Sequence, residues 1–475
     1  MLQIGTLKSF DSTNYRAEVQ LAGSMAAYLD NIPVARNIAS DQMTVGRHVI
    51  LAIPQGNPKD ACVIAVWDGA AGGGGPGGGG ASTFLDLTDT PASFAGQAGK
   101  SAVVNTTQDA LEFAQRAALS SANRTIYVDK AATGSGDGTS WADAFTTIMA
   151  AVDSIENIVI HDYVIKVRKG ATPYRETVYL NSDPANHPTH IIVGSLTIEA
   201  EYSWQGDCEA NVGGAGEIVD TGAFADVAVG DKVVVLDLNG ANGRCQNYEL
   251  CTVDNVSNKP NRIGTDGTKT PTTGWIYWIV RTEISGSDNG TDGGTARDNI
   301  LSLNGIANVT ITGFYLTFSD KASISGNICG LTLNRIIAEK CDEPLGVSKS
   351  DIAWDYILLE YDTAGWGHKM GLLSQGTIHY AVFMDSSGLA NREAFSVGEG
   401  SVCLQLWYAY FVGTKRALGV NRVAYCRLGW STIPNTFAIG IKAEYNAAVW
   451  ASQYVTNNAT TPKDPAGTTE GAYIS

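Results

Sequence analysis

Six times between residues 309 and 428 the chain places apolar side chains two and five residues beyond a starting position. The groups are Val309/Ile311/Phe314, Leu331/Leu333/Ile336, Ile352/Trp354/Ile357, Ile378/Tyr380/Phe383, Val402/Leu404/Trp407 and Val423/Tyr425/Leu428. Successive starts differ by 22, 21, 26, 24 and 21 residues. A spacing of two is that of a strand with one buried face. A unit this short cannot bury its apolar row alone, so copies must stack and share one core. The pattern therefore predicts an all-β chain built as a solenoid, one coil per repeat, with Trp354 and Trp407 inside. Composition agrees: glycine supplies 53 of 475 residues, and charged residues, at 17%, fall short of the usual ~25%.

The remaining sequence divides around one run, residues 69–80, in which all but three positions are glycine. Without side chains to pack, this glycine-rich linker acts as a tether. It isolates residues 1–68, where strand patterns at 17–21, 45–53 and 61–67, with a Pro/Gly/Asn turn at 54–60, predict a small barrel. Residues 81–123 form a connector of short extended pieces broken by Pro91 and glycines. The solenoid is expected over 124–455. Ahead of its coils, Trp141, Ala144, Phe145, Ile148, Ala151, Val152 and Ile155 recur at helical steps, predicting a helix over 140–155 with Ser140 as its N-cap. It would cap the open coil end, where unpaired backbone invites edge-to-edge association. Longer strand runs at 224–236, 248–254 and 275–280 break the coil pattern and predict a β insertion over 217–285. Residues 456–475 are a polar tail.

Three stretches carry a resemblance. The hairpin at 45–67 resembles the OB-type domains of bacteriophage baseplate and tail-tip proteins. FLDLTDTP at 84–91, followed by AGQAGK at 95–100 and LEF at 111–113, is similar to a segment that recurs in phage tail fibres and spikes. IYVD at 126–129 with GDGTSWADAF at 136–145 resembles the start of right-handed parallel β-helices of the pectate-lyase-like superfold. The resemblance implies a virion protein: an OB-like attachment barrel, a tether, and a right-handed parallel β-helix with an N-terminal cap helix. Its expected partners are phage tail or baseplate proteins, two further copies in a homotrimer, and host surface polysaccharide. Binding without cleavage, depolymerisation by glycoside hydrolysis, and a purely structural decoration role are three open readings.

Charge and motifs narrow the chemistry. Acidic residues outnumber basic ones 48 to 32, which argues against a nucleic-acid partner, whose affinity comes from Lys and Arg. No apolar stretch approaches the ~18 residues of a membrane span, and the first residues carry no secretory pattern, so synthesis in the host cytoplasm is expected. No P-loop, Rossmann, HExxH or GxSxG pattern occurs, and no cofactor is expected. None of the eight cysteines sits in a CxxC pair; they read as buried thiols, with Cys245 and Cys251 the one pair close enough to bridge. Asp288, Asp292 and Asp298 offer oxygen ligands for a hard cation, but their spacing is not an EF-hand's and a solvated turn is the expected reading, so no metal is assigned. Pectate lyases bind calcium through carboxylates beside a basic residue; no matching cluster is present.

The two longest repeats hold neighbouring loops, 361–370 and 385–394. Adjacent coils bring Asp362, Trp366, His368, Lys369, Asp385, Asn391, Arg392 and Glu393 into one patch. A ring beside hydrogen-bonding groups suits a sugar. Two carboxylates roughly 5–9 Å apart serve as acid and base in glycoside cleavage, and Asp362 and Glu393 are the candidates. Trp366, His368, Lys369, Asp385, Asn391 and Arg392 are the expected substrate contacts. Glu339 and Glu360, 21 positions apart, are expected on successive coils, while His48, His187 and His190 show no partners in sequence.

Overall fold

The computed structural model describes residues 2–474 except 24–26, 68–92, 94–99, 105–107, 109, 116–118, 211–213, 241–242, 288–298, 320–321, 342, 362–368, 372, 387–392, 453–454 and 465–472. The glycine-rich linker, the FLDLTDTP segment and the Asp288/Asp292/Asp298 loop therefore lie outside the described residues. The chain divides into two compact units, Met1–Ala114 and Gln115–Ser475.

The first unit is a five-stranded antiparallel sheet of β1 (Leu2–Asp11), β2 (Arg16–Leu21), β3 (Tyr28–Pro33), β4 (His48–Ala52) and β5 (Cys62–Trp67), in the order β3-β2-β1-β4-β5. Alternation sets its inner face: Leu7, Val19, Val49, Leu51 and Val63 are buried together. A parallel bridge between Val34 and Val63 joins the end of β3 to β5, and Ala35 N–H donates to Val63 O at 2.8 Å.

The second unit is a parallel β-solenoid. Residue-by-residue pairing carries one inward row through Ile126, Ile165, Ile198, Ile311, Leu333, Trp354, Ile378, Leu406, Leu428 and Ala451. A second row runs Ile284, Leu316, Ala338, Leu359, Phe383, Phe411. A third runs Leu180, Leu303, Gly326, Val347, Met370, Val397, Val420, Ala443. These rows share one buried cluster. The first three predicted groups point inward throughout. In the fifth group the register slips: one extra residue, Leu404, follows Cys403 and shifts the pairing with both neighbouring coils. Trp407 consequently leaves the core, and Cys403, Leu406 and Ala409 fill it. In the fourth group Tyr380 lies at a corner, in the same register as Tyr356 one coil earlier, and Ala381 is the inward residue. In the sixth, Val423 and Tyr425 precede the inward pair Cys426 and Leu428.

Each coil turns its corners at residues in the left-handed backbone region. One corner stacks Arg335, Tyr356, Tyr380, Tyr408 and Trp430, with φ of 51°, 55°, 50°, 54° and 49°. Such a conformation costs a side-chain-bearing residue about 1–2 kcal/mol. Here the corner repays part of it by stacking rings: Tyr356 on Tyr380 at 4.9 Å, Tyr380 on Tyr408 at 5.0 Å, Tyr408 on Trp430 at 5.9 Å. Each such pair contributes about 0.5–1.5 kcal/mol beyond its burial.

The cap helix is shorter than its periodicity predicts, Ile148–Asp153, and its N-cap is Thr147, whose Oγ1 accepts from Ala150 N–H at 3.1 Å. Residues before it are drawn into other bonds. Ser140 closes a turn with Asp143, and Phe145 pairs with Val128 as a strand would. The Glu176 carboxylate accepts from Ile148 and Met149 N–H at 2.9 and 2.8 Å, satisfying two groups the first turn leaves open. Ile148, Ala151 and Val152 then face the solenoid interior.

The insertion is a six-stranded antiparallel sheet carried between Ser203 and Val280. One of its inner strands, Trp275–Val280, is buried on both faces, hence its unbroken apolar sequence. Trp275, Tyr277 and Ile279 enter the insertion's own core. Ile276, Trp278 and Val280 pack on Ile337, Leu358 and Val382, the outward side of one solenoid sheet. Cys245 belongs to this second cluster and Cys251 to the first, so the pair cannot bridge; all eight cysteines are free thiols, seven of them buried.

Phe383 is fully buried between Phe395 (4.5 Å) and Phe411 (5.8 Å). Phe383→Ala should cost about 3–5 kcal/mol, read as a lowered denaturant midpoint; a loss under about 1 kcal/mol would exclude a packed interior at this row.

Candidate functional site

Of the residues expected in the loop patch, Asp362, Trp366, His368, Asn391 and Arg392 lie outside the described residues. Lys369 begins the strand Lys369–Gly371, paired with Gly346 and Ser396. Asp385 ends the strand Gln375–Asp385 and is 5% exposed. Glu393 accepts from Arg416 Nη1 at 3.1 Å, across successive coils. Glu339 lies 3.9 Å from Lys232 Nζ, and Glu360 accepts from the Ser386 hydroxyl at 2.8 Å, so neither is a bare carboxylate in a ladder. His187 is not unpartnered: its Nδ1 lies 3.0 Å from Asp153 Oδ1, and its ring stacks on Tyr179. His190 Nδ1 faces Glu156 O at 3.2 Å, and the His48 ring lies edge-on to Trp67.

The densest convergence of aromatic and polar groups lies elsewhere, on the outward face of the sheet that precedes the aromatic corner. Register stacks Asp355, His379 and Trp407 on three successive coils, with Gly429 on the fourth. Beside this column Arg427 pairs with Trp450, and Gln405 lies one coil earlier. Because every one of these side chains stands on a hydrogen-bonded strand about 4.8 Å from the next, their spacing is fixed by the backbone. The His379 ring stacks on Trp407 at 5.5 Å and 25°. Trp407 meets Trp430 edge-on at 4.9 Å. The Arg427 guanidinium lies 5.8 Å from the Trp407 ring centre and 4.7 Å from that of Trp450. Gly429 leaves room here: a Cβ at that position would come within 3.1 Å of the Trp407 indole, closer than an ordinary contact.

His379 touches two acceptors. Its Nδ1 lies 3.4 Å from Asp355 Oδ1, and its Nε2 donates to Gln405 Oε1 at 2.9 Å. Two acceptors are the partners of an imidazolium. The bond to Asp355, opposed by partial burial and helped by Gln405, holds this ring above the ordinary histidine range. The face is thus apolar in its rings, with a cation at Arg427 and an imidazole whose protonation Asp355 favours. Sequence reading placed Trp407 in the core by counting five residues on from Val402; the extra residue Leu404 moves the inward positions to Leu406 and Ala409 and turns Trp407 outward, beside His379.

A separate cavity of about 180 Å³ opens where the insertion meets the solenoid, lined by Lys169, Lys232, Arg281, Glu283 and Tyr315 among others. Burial pushes the Glu283 carboxyl above its ordinary range, and Thr317 Oγ1 donates to it at 2.7 Å. Arg281 is bidentate on Asp231, at 2.8 and 2.9 Å. Its charges are matched within the fold. Among the described residues no cluster of three or more His, Cys, Asp or Glu side chains is arranged to hold a metal ion, and no helix is long and apolar enough to cross a membrane.

No protein-family model matches the chain. No curated protein matches it either. Solved structures do. The tailspike of Pseudomonas phage phi297 is 14% identical, with a TM-score of 0.19 over 69% of this chain and 66% of that one. The tailspike of Acinetobacter baumannii bacteriophage AP22, solved with A. baumannii capsular saccharide, is 12% identical, with a TM-score of 0.18 over 66% and 63%. A lacto-N-biosidase from Eubacterium ramulus is 8% identical, with a TM-score of 0.29 over 74% and 67%. The chain spans just under two thirds of the length of the phage tailspikes it matches.

The His379 pairing has a pH signature. A folded-state value raised above the ordinary 6.5 gives stability that is complete below that pH and fades as pH rises through the folded value. His379→Gln should therefore lower the melting temperature more at pH 5.5 than at pH 8.5. Equal losses at both would exclude an Asp355-supported imidazolium.

Proposed function

We propose that this chain is a spike or fibre component of a bacteriophage tail, whose solenoid binds polysaccharide of the host cell surface. The observation that carries the reading is the row of His379, Gln405, Trp407, Arg427 and Trp450 on the outward face of a parallel sheet, half-buried at His379 and exposed at Arg427 and Trp450. Sugar rings present apolar CH faces to indoles and hydroxyls to amide, imidazole and guanidinium groups. Spread over successive coils along the axis, such a row suits a polymer better than a small molecule. The preferred reading is adhesion.

The first unit is proposed as the attachment module, docking on tail or baseplate proteins. Its strand order and the parallel contact between its third and fifth strands support an OB-type barrel, and the 84–113 segment resembles those of tail fibres. The protein would thus reside in the virion, after synthesis in the host cytoplasm. A depolymerase would place its acid and base at Asp362 and Glu393, with Trp366, His368, Lys369, Asp385, Asn391 and Arg392 around the sugar.

One mixture of protein and host polysaccharide tests these readings. Trp407→Ala and Trp450→Ala should each weaken retention about tenfold, about 1.4 kcal/mol, with unchanged circular dichroism. Full affinity in the double variant would remove the face from the function. Shortening of the polymer that Asp362→Asn or Glu393→Gln abolishes would establish cleavage; shortening by both variants would reject that pair. The assembly is proposed as a homotrimer. Light scattering should then give three times the 50.1 kDa chain mass, and a monomer would overturn it.

A further inference from the structure

Most of the described arginines of the second unit are neutralised within the fold: Arg168, Arg262, Arg281, Arg416 and Arg422 each face a carboxylate within ion-pair distance, and Arg335 spends its donors on Ser203 and Gln205. Arg427 faces no carboxylate among the described residues, in a chain where acids outnumber bases by 48 to 32. Its guanidinium is held instead against two indoles, 5.8 Å from Trp407 and 4.7 Å from Trp450. Stacking occupies the flat faces of a guanidinium and leaves its in-plane N–H donors to point past the rings. Arg427 is an exposed residue and Trp450 is 39% exposed, so this edge opens to solvent. On the far side of Trp407 lies the His379 ring, whose two nitrogens are already committed to Asp355 and Gln405.

Such an edge is a fork of donors without an acceptor, beside an aromatic platform. A carboxylate on a pyranose ring matches both parts: the ring lies on the indole, and the carboxylate oxygens meet the guanidinium edge as a bidentate pair. We propose that Arg427, clamped by Trp407 and Trp450, selects carboxylate-bearing sugar units, so that the ligand is an acidic, uronate-containing polysaccharide. This rests on the polysaccharide-binding reading above and names its substrate class. A neutral glycan would offer the fork hydroxyl acceptors but no charge and no bidentate pair to match it. Lysine cannot replace arginine here, since an ammonium neither stacks flat nor offers two parallel donors.

The test uses the full chain and a panel of immobilised glycans in matched pairs. Each pair holds a uronate-containing oligosaccharide and its carboxyl-reduced neutral form, with a sulfated galactan alongside. The wild type should bind acidic members at least tenfold more tightly than their reduced partners. Arg427→Met should bring the acidic members down to the affinity of their reduced partners, and Arg427→Lys should recover only part of the difference. Equal binding of acidic and reduced forms by the wild type would overturn the carboxylate assignment and leave the saccharide reading standing. Preference for the sulfated galactan over the uronates would overturn it as well. Binding to no glycan of either kind would overturn the saccharide reading itself, and this inference with it. Retained preference in Arg427→Met, with circular dichroism unchanged, would show that another group reads the charge.

Discussion

An inward row that runs from Ile126 through Trp354 to Ala451 holds the second unit together. A single coil has one apolar side chain at this level and nothing to bury it against. The row exists only because each strand pairs in parallel with the next, residue opposite residue, so that burial and backbone hydrogen bonding come from one act of stacking. Two further rows close the interior in the same way. The lateral positions of all outward side chains follow from this register, and so does the geometry of any site on the surface.

The outer faces are treated unequally. The sheet after the aromatic corner is covered by the insertion, where Trp278 and Val280 meet Ile337, Leu358 and Val382. Arg335 reinforces this docking by donating to Ser203 Oγ and Gln205 Oε1, both at 3.0 Å. The sheet before the corner stays open and carries the rings and cations. The corner joins the two regimes: its stacked Tyr356, Tyr380 and Tyr408 turn the backbone, and Trp278 meets Tyr356 edge-on at 6.0 Å. A rigid scaffold with one covered and one open face is what a polymer-binding surface requires, because ordering entropy is met during folding and not at binding.

Chemistry on the open face is set by what surrounds Trp407. A histidine tied to Asp355 lies over one side, an arginine held by a second indole lies near the other, and Gly429 leaves room for the ring. Arg427 faces no carboxylate among the described residues, unlike His379, which has Asp355, Arg416, whose charge is matched by Glu393, or Arg281, matched by Asp231. The contrast separates ion pairs that fasten one coil to another from a cation left available to a ligand.

Much of this was legible in the residues alone. Apolar groups 21 to 26 residues apart specify stacked coils, since a short unit with one apolar row has no other way to bury it. The unbroken Trp275–Val280 run marks a strand buried on both faces. The helix over 140–155 was over-read because periodicity cannot show that Phe145 is needed as a strand partner for Val128. The outward placement of Trp407 was missed for a related reason. Alternation fixes which residues share a face but not which face is inside, and one extra residue, Leu404, exchanges the two. Where that residue falls is decided by the neighbouring coil it must pair with, a partner some two dozen positions away. The sequence by itself therefore determined that the chain stacks, and with what period. Only the tertiary pairing decided that Trp407 points out of the core, beside His379 and Arg427, because side-chain direction in a strand is a property of register and register belongs to two strands at once.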